Sequence, residues 1–453
     1  MTAPGETSSQ ASAPTAKALS YTRKAALSFS WLMMERVVHL GAGLVVGLWV
    51  ARHLGPEQQG LLSYVLAYSV LATPLLTLGI NAIVAREIVR HPEDEGRILG
   101  AAVGLRMVGA LLSAVLCWGI ALWLNPGNTT LAFYVALVNA AWAIGALRVV
   151  QFWFQAHYIP RNMTIAMMVV SLSFAMLRIG LILLNAPLGA FVYAAAGEIA
   201  VFGIAGLAAY LHTASAIRWR WHMPTARGLL RNSWMLAVSE LPAVVYLKID
   251  ILMLAHTRTA SEVGHYAAAA RLSEAWYVLP IVFASAILPR LISLRDQDHG
   301  RYNQRLQEAY DLLACGAMLV AMTTTVLADD IISFLLGPAY APSALILIIH
   351  IWAGVFMSMR ALLAQWLIAE DLYVFSIVTQ SCGALINIAL NLILIPSLGG
   401  TGAAMATVVS YAVASFGALF LSRRTRPAGD MMVRALFWPL RIASVLRTLR
   451  RSL

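Results

Sequence analysis

The sequence predicts an all-α polytopic membrane protein: twelve transmembrane helices in two six-helix lobes, with both termini in the cytoplasm. Three observations predict it. Of 453 residues, 60% are hydrophobic and only 12% are charged, and apolar stretches long enough to span a bilayer recur along the chain. The basic residues gather on alternate connections between those stretches. The second half repeats spacings found in the first. A β-barrel would instead show short alternating segments, which do not stand out here.

In chain order, residues 1–24 are rich in Ala, Ser, Thr and Pro without periodicity and read as a disordered cytoplasmic tail. They hold no short apolar core with a cleavage site, so they do not read as a signal peptide. The N-lobe, residues 25–213, carries spans 25–52, 60–86, 97–124, 130–155, 163–185 and 188–213. A cytoplasmic interlobe loop takes 214–227. The C-lobe, 228–422, carries spans 228–256, 264–290, 306–328, 343–369, 373–395 and 400–422. Pro74, Pro242 and Pro280 fall inside spans and predict kinks. Trp49, Trp123 and Trp153 lie near span ends, as interfacial anchors do. Residues 423–453 mix Arg434, Arg441, Arg447, Arg450 and Arg451 with Phe437, Trp438, Leu446 and Leu449, which predicts a basic amphipathic cytoplasmic tail.

The turns Asn125–Thr130, Asn185–Gly189 and Pro396–Gly400 carry no charge. Of 32 Lys and Arg, 23 lie on the opposite connections and tails, and only Arg52 and Arg258 lie on the uncharged side. Lys and Arg near helix ends remain cytoplasmic, which orients the chain. The net charge of +11 is thereby accounted for by topology and anionic headgroups, without nucleic acid. Gly60 precedes Arg86 by 26 residues and Gly264 precedes Arg290 by 26, as second and eighth spans. Leu147-Arg148 and Met359-Arg360 correspond likewise in the fourth and tenth. Parallel repeats of this kind place a substrate cavity between two lobes near the midplane.

Enzyme machinery is absent from the pattern. No G-x-x-x-x-G-K-[ST] phosphate loop, H-E-x-x-H, paired CxxC or G-x-S-x-G elbow occurs, so neither catalysis nor a cofactor or metal is expected. Cys117, Cys315 and Cys382 sit inside apolar spans as packing residues. Seven cations remain within the spans: Arg36, Arg106, Arg148, Arg178, Lys248, Arg271 and Arg360. A cation in hydrocarbon is costly and faces a cavity, a partner or a substrate. By helical rise they sit roughly 10–16 Å from one face or the other, a ladder suited to passing an anion across. The acids set well inside the spans are Glu35, Glu198, Glu240, Asp250 and Glu274, two fewer than these cations. The i,i+3 spacing of Arg271 and Glu274 predicts an ion pair, whereas Glu35 and Arg36, and Lys248 and Asp250, point apart. Glu35, Asp250 and Glu274 are the candidates for coupling transport to Na⁺ or H⁺, with His39 and His350 behind them.

Four motifs resemble one family. Ala51–Gly60 (ARHLGPEQQG) followed by Leu61–Glu87 is similar to the opening of the polysaccharide transporter family of O-antigen flippases. Gly264–Arg290 (GHYAAAARLSEAWYVLPIVFASAILPR) resembles its eighth-helix signature, and Leu336–Ala344 (LGPAYAPSA) its L-x-G-x-x-Y-x-x-A loop. Asn387–Thr407 (NIALNLILIPSLGGTGAAMAT) matches its N-x-x-L-N-x-x-L-I-P-x-x-G-x-x-G-A-A-x-A-T. The resemblance implies the two-lobed fold of multidrug and toxic-compound extruders and of lipid II flippases. It also implies translocation of undecaprenyl-pyrophosphate-linked oligosaccharide units across the bacterial cytoplasmic membrane for O-antigen, capsule or exopolysaccharide synthesis. It places Arg36 and Arg271 at cavity arginines, and implies membrane lipids, a polysaccharide polymerase and a chain-length regulator as partners. A cation-coupled drug exporter of the same fold and a non-transporting envelope-assembly partner are the alternatives.

Overall fold

A computed structural model describes residues 16–214 and 219–437, which contain helices and turns and no strand. The helices are α1 (Ala16–Leu71), α2 (Thr73–Thr77), α3 (Asn81–Arg90), α4 (Glu95–Leu124), α5 (Thr129–Gly145), α6 (Gln151–Ala156), α7 (Arg161–Leu183) and α8 (Leu188–Thr213). After them come α9 (Met223–Thr257), α10 (Ala260–Glu274), α11 (Val278–Gln297), α12 (His299–Leu335), α13 (Ser343–His350), α14 (Ala353–Ala369), α15 (Tyr373–Ser415) and α16 (Arg426–Leu436). Residues 1–15, most of the expected N-terminal tail, fall outside the described residues, as do Arg218, Arg441, Arg447, Arg450 and Arg451.

Nine stretches among the described residues are long and apolar enough to cross a membrane. The two longest are Met33–Leu71, with 39 residues, and Val374–Leu421, with 48. At 1.5 Å per residue these run to roughly 58 and 72 Å, against about 30 Å of hydrocarbon. Each contains a glycine where the helix breaks, Gly55 (φ 70°, ψ 171°) and Gly399 (φ 57°, ψ −134°). A side chain is disfavoured at either conformation. Pro56 follows the first break at the start of the renewed helix, where its missing N–H costs nothing. His53, before the break, hydrogen bonds to the Ala186 carbonyl at 3.3 Å, and Asn125 donates to Tyr64, after it, at 2.7 Å. Both arms therefore meet uncharged turns at one end of the molecule. α9 is absent from the nine, in keeping with the charges it carries at Arg227, Arg231, Glu240, Lys248 and Asp250.

The proline expectations resolve individually. Pro74 lies in the first turn of α2, and the second span breaks just beyond it at Leu78 and Gly79, both with positive φ. Pro280 lies in the first turn of α11, immediately after the break from α10. Pro242 sits inside an α9 that continues past it.

Packing divides the chain into two halves. Residues of α1–α8 build a cluster around Leu99, Phe154 and Tyr210 and another around Val65, Val135 and Phe191. Residues of α10–α15 surround Tyr310 and Leu362 in one cluster and, together with Leu48, Ala51 and Ala67 of α1, Tyr266 and Leu347 in another. α9 bridges them: Ala226 and Leu229 pack into the first half, Ile251 and Leu254 into the second. α16 buries Ala428, Met432 and Ala435 against the second half and leaves Arg426 and Arg434 exposed. Next to the uncharged turns the halves are joined by Tyr340, whose hydroxyl donates to the Ala51 carbonyl at 2.7 Å, and by Arg52, which donates to the Phe334 carbonyl at 3.2 Å.

Gly55→Ala is expected to lower the thermal stability of the detergent-solubilised protein by about 1–3 kcal/mol, the cost of forcing a side chain into that conformation. Gly119→Ala, on an exposed helical face with open space around it, is the control and leaves the melting temperature unchanged or raised. Equal melting of the two variants would refute the strained break.

Candidate functional site

Small residues on one face of α1 open a cavity of about 210 Å³ beside it. His39, Ala42, Gly43, Val46, Gly47 and Val50 recur at helical spacing along that face. α7 supplies Ser171 and Arg178, α8 supplies Ala195 and Glu198, and Leu62 and Leu66 close it from the second arm of α1. These walls all belong to the first half. One side chain comes from the second: Arg271 of α10.

Two polar pairs line the cavity. Arg178 Nη2 meets Glu198 Oε2 at 2.5 Å, and His39 Nδ1 shares a hydrogen bond with Ser171 Oγ at 2.9 Å. Arg271 lies against the backbone of Gly47, close enough that a Cβ there would stand 2.6 Å from its Nη1. Among the described residues no hydrogen bond or ion pair engages Arg271. The lining thus holds two guanidinium groups and one carboxylate, a surplus of one positive charge with His39 neutral. A cation in such a setting attracts an anion, because the desolvation cost is offset only when opposite charge arrives.

The acid that sequence spacing assigns to Arg271 is engaged elsewhere. Glu274 accepts from Lys248 Nζ at 3.0 Å, so the pair expected within α10 is replaced by one between α9 and α10. The i,i+3 relation brings two side chains near one another but does not outrank a neighbouring helix that offers the carboxylate another cationic donor. Arg271 is left for the cavity.

The remaining predicted residues are not part of its lining. Arg148 reaches Glu35 at 3.5 Å and stacks over Phe202, 4.9 Å from the ring centre. Arg106 is 5% exposed, with Nε and Nη1 lacking partners among the described residues, and lies within electrostatic reach of Arg148. Arg36 is exposed on α1, one turn before His39. Arg360 is 6% exposed and donates to Thr379 Oγ1 at 2.8 Å, to Ser376 Oγ at 3.0 Å and to the carbonyls of Ser376 and Ala414. It ties α14 to α15 and is absent from the cavity lining. Asp250 is 2% exposed; it accepts from the Ile251 amide at 2.8 Å, from the Tyr266 hydroxyl and from Thr407 Oγ1 at 3.5 Å. His350 meets Ser273 at 2.9 Å.

Sequence reasoning counted Glu198 among the acids but did not place it in the site. A signal was present. Arg178 and Glu198 stand seven and nine residues from the two ends of the Asn185–Gly189 turn, so an antiparallel hairpin sets them at one level. No group of three or more His, Cys, Asp or Glu able to hold a metal occurs among the described residues.

The family model described as "polysaccharide biosynthesis protein" matches residues 26–295, and that described as "lipid II flippase MurJ" matches 195–449. The probable low-salt glycan biosynthesis flippase Agl15 of Haloferax volcanii is 25% identical over 192 residues, 42% of this chain. The match spans about two-fifths, 40%, of that relative. Among solved structures, the lipid II flippase MurJ in an inward closed conformation superposes with a TM-score of 0.62 at 15% identity, over 92% of this chain and 96% of that one. An inward-facing multidrug resistance MATE transporter gives 0.67 at 15% identity, over 93% and 99%. At these identities the structural likeness shows the fold. With more than half of its length matched by each family model, the chain belongs to the polysaccharide biosynthesis protein and MurJ flippase families, membrane transporters of MATE-like fold and not enzymes.

Proposed function

We propose that this protein flips undecaprenyl-pyrophosphate-linked oligosaccharide units across the bacterial cytoplasmic membrane by alternating access, for O-antigen, capsule or exopolysaccharide synthesis. The observation that carries the reading is the unpaired Arg271 in a cavity whose other charges, Arg178 and Glu198, neutralise one another. A diphosphate fits that arrangement. Its oxygens accept from a guanidinium bidentately, and arginine stays charged in any surroundings. At about 210 Å³ the cavity suits the diphosphate alone. The sugar would occupy the wetter space between the halves, and the polyprenyl tail would stay in lipid.

The topology supporting this reading has twelve crossings, obtained by dividing the two longest stretches at Gly55 and Gly399 and by counting α9. The alternate distribution of arginine puts both termini in the cytoplasm, with N-lobe 25–213 and C-lobe 228–422 flanking the interlobe loop. Arg36, exposed on the α1 approach to the cavity, would meet the phosphates on entry. Arg106 and Arg148, with Glu35 as their one acid, form a second cationic position within the first half, whereas Lys248 is neutralised by Glu274. Asp250 is the strongest coupling candidate because its acceptors face hydroxyls and an amide and no described cation pairs with it, while Glu35 and Glu274 already hold cations. A drug exporter carrying cations would need the opposite sign of charge in the cavity.

Arg271→Ala, at normal protein level, is expected to reduce export of surface polysaccharide by at least about tenfold, the loss of one charge-assisted contact. Arg360→Met should lower thermal stability and leave inorganic pyrophosphate binding by the purified protein intact. Full export by Arg271→Ala would remove the cavity assignment.

Asp250→Asn keeps the hydrogen-bonding shape and deletes the charge. In vesicles, transport by the wild-type protein should respond to an imposed Na⁺ or H⁺ gradient, and the Asn variant should not. A variant that still follows the gradient would place coupling elsewhere.

A further inference from the structure

The tightest approach between the two halves is a reciprocal crossing of backbones. A Cβ on Gly60 would stand 1.8 Å from the Ala260 carbonyl oxygen and 2.9 Å from the Gly264 nitrogen. A Cβ on Gly264 would stand 1.8 Å from the Pro56 carbonyl oxygen. Pro56 is four residues before Gly60, and Ala260 is four before Gly264. One offset of 204 residues relates both members, so each half makes the same contact on the other. This is the small-xxx-small geometry by which membrane helices bring their backbones together. It admits no side chain at either glycine. The Tyr340–Ala51 and Arg52–Phe334 hydrogen bonds also bridge the halves here, so the crossing closes the end that bears the uncharged turns.

Arg271 stands seven residues, two helical turns and about 10 Å, beyond Gly264 on the same helix. It is part of the second half yet lines a cavity otherwise built by the first. Gly47 is what lets it in: any side chain there would occupy the guanidinium's place. Arg178 and Glu198, by contrast, both ride on the first half, from α7 and α8.

We propose that the gate and the anion site are one device: parting the Gly60–Gly264 crossing withdraws Arg271 from the cavity, turning it from cationic to neutral as it opens outward. The inference rests on the diphosphate reading above and adds what drives release. With the gate shut, the anion meets an unpaired guanidinium. When the halves separate at this end, Arg271 leaves with α10, the Arg178–Glu198 pair stays behind neutral, and the anion loses its partner at the moment the path to the outer leaflet exists. A two-fold contact between rigid backbones is made or broken as a unit, which suits a two-state gate. Gly47 is a positioning residue for Arg271.

The experiment uses full-length protein with Cys117, Cys315 and Cys382 changed to Ser and a reporter Ala195→Cys in the cavity wall. Gly60→Val and Gly264→Val insert side chains into the crossing. In intact cells, a membrane-impermeant maleimide should label the reporter at least about tenfold faster in these variants, matching a gate shifted by more than one tenfold step in its equilibrium. The purified Gly264→Val protein should bind inorganic pyrophosphate as weakly as Arg271→Ala does, and combining the two should cost nothing more, as expected for residues acting as one unit. Gly47→Ala, which leaves the crossing alone, should weaken pyrophosphate binding without changing labelling; it serves if the valine variants do not fold. Unchanged labelling in the valine variants, or additive losses in the double variant, would overturn the proposal. Wild-type protein that binds no pyrophosphate would overturn the diphosphate reading, while the labelling would still judge the gate.

Discussion

The contact on which this structure turns is the one between the Arg271 guanidinium and the bare backbone of Gly47. It crosses from one half of the molecule to the other, and it places an unneutralised cation in a cavity whose walls could otherwise be apolar and electrically balanced. Several features of the chain serve it. Gly43 and Gly47 clear the face of α1, Glu274 is occupied by Lys248, and Glu198 is occupied by Arg178. Had Glu274 been available to Arg271, the cavity would carry no surplus charge and no reason to prefer an anion.

The distribution of charge inside the molecule follows from the cost of burying it. Three cations have acids: Arg148 with Glu35, Arg178 with Glu198, and Lys248 with Glu274. Two acids rely on neutral donors instead, Asp250 on Tyr266 and Thr407, and Glu240 on Thr77 at 3.4 Å. Arg360 bonds to hydroxyls and carbonyls, which neutralise nothing but hold both of its terminal nitrogens in place. Paired or saturated groups of this kind stabilise a particular packing, and removing one partner leaves a charge that costs several kcal/mol. Arg271 and Arg106 follow neither pattern, and both belong to the set of cations that the sequence singled out.

Much of the fold was legible because a bilayer imposes simple rules. Hydrocarbon thickness sets span length, and nine stretches among the described residues are long and apolar enough to cross. The breaks at Gly55 and Gly399 fall inside the expected connections, though helix continues almost to the break on both sides. The site was less legible. Spacing paired Arg271 with Glu274, since a sequence shows neighbours along a helix and conceals those across from it; Lys248 on α9 was the better-placed partner. Arg178 and Arg271, 93 positions apart, share one cavity, whereas Arg360, set beside them by the internal repeat, is bonded to α15 instead. The Gly60–Gly264 correspondence was visible as a repeat, but a repeat in sequence does not reveal that its two copies touch.

The decisive measurement is a structure of the protein with a polyprenyl diphosphate bound. The diphosphate oxygens are expected within hydrogen-bonding distance of Arg271, between α1 and the Arg178–Glu198 pair, with the gate glycines in contact. A diphosphate seated beside Arg106 and Arg148, with Arg271 turned away from it, would overturn the assignment of Arg271 to the anion site.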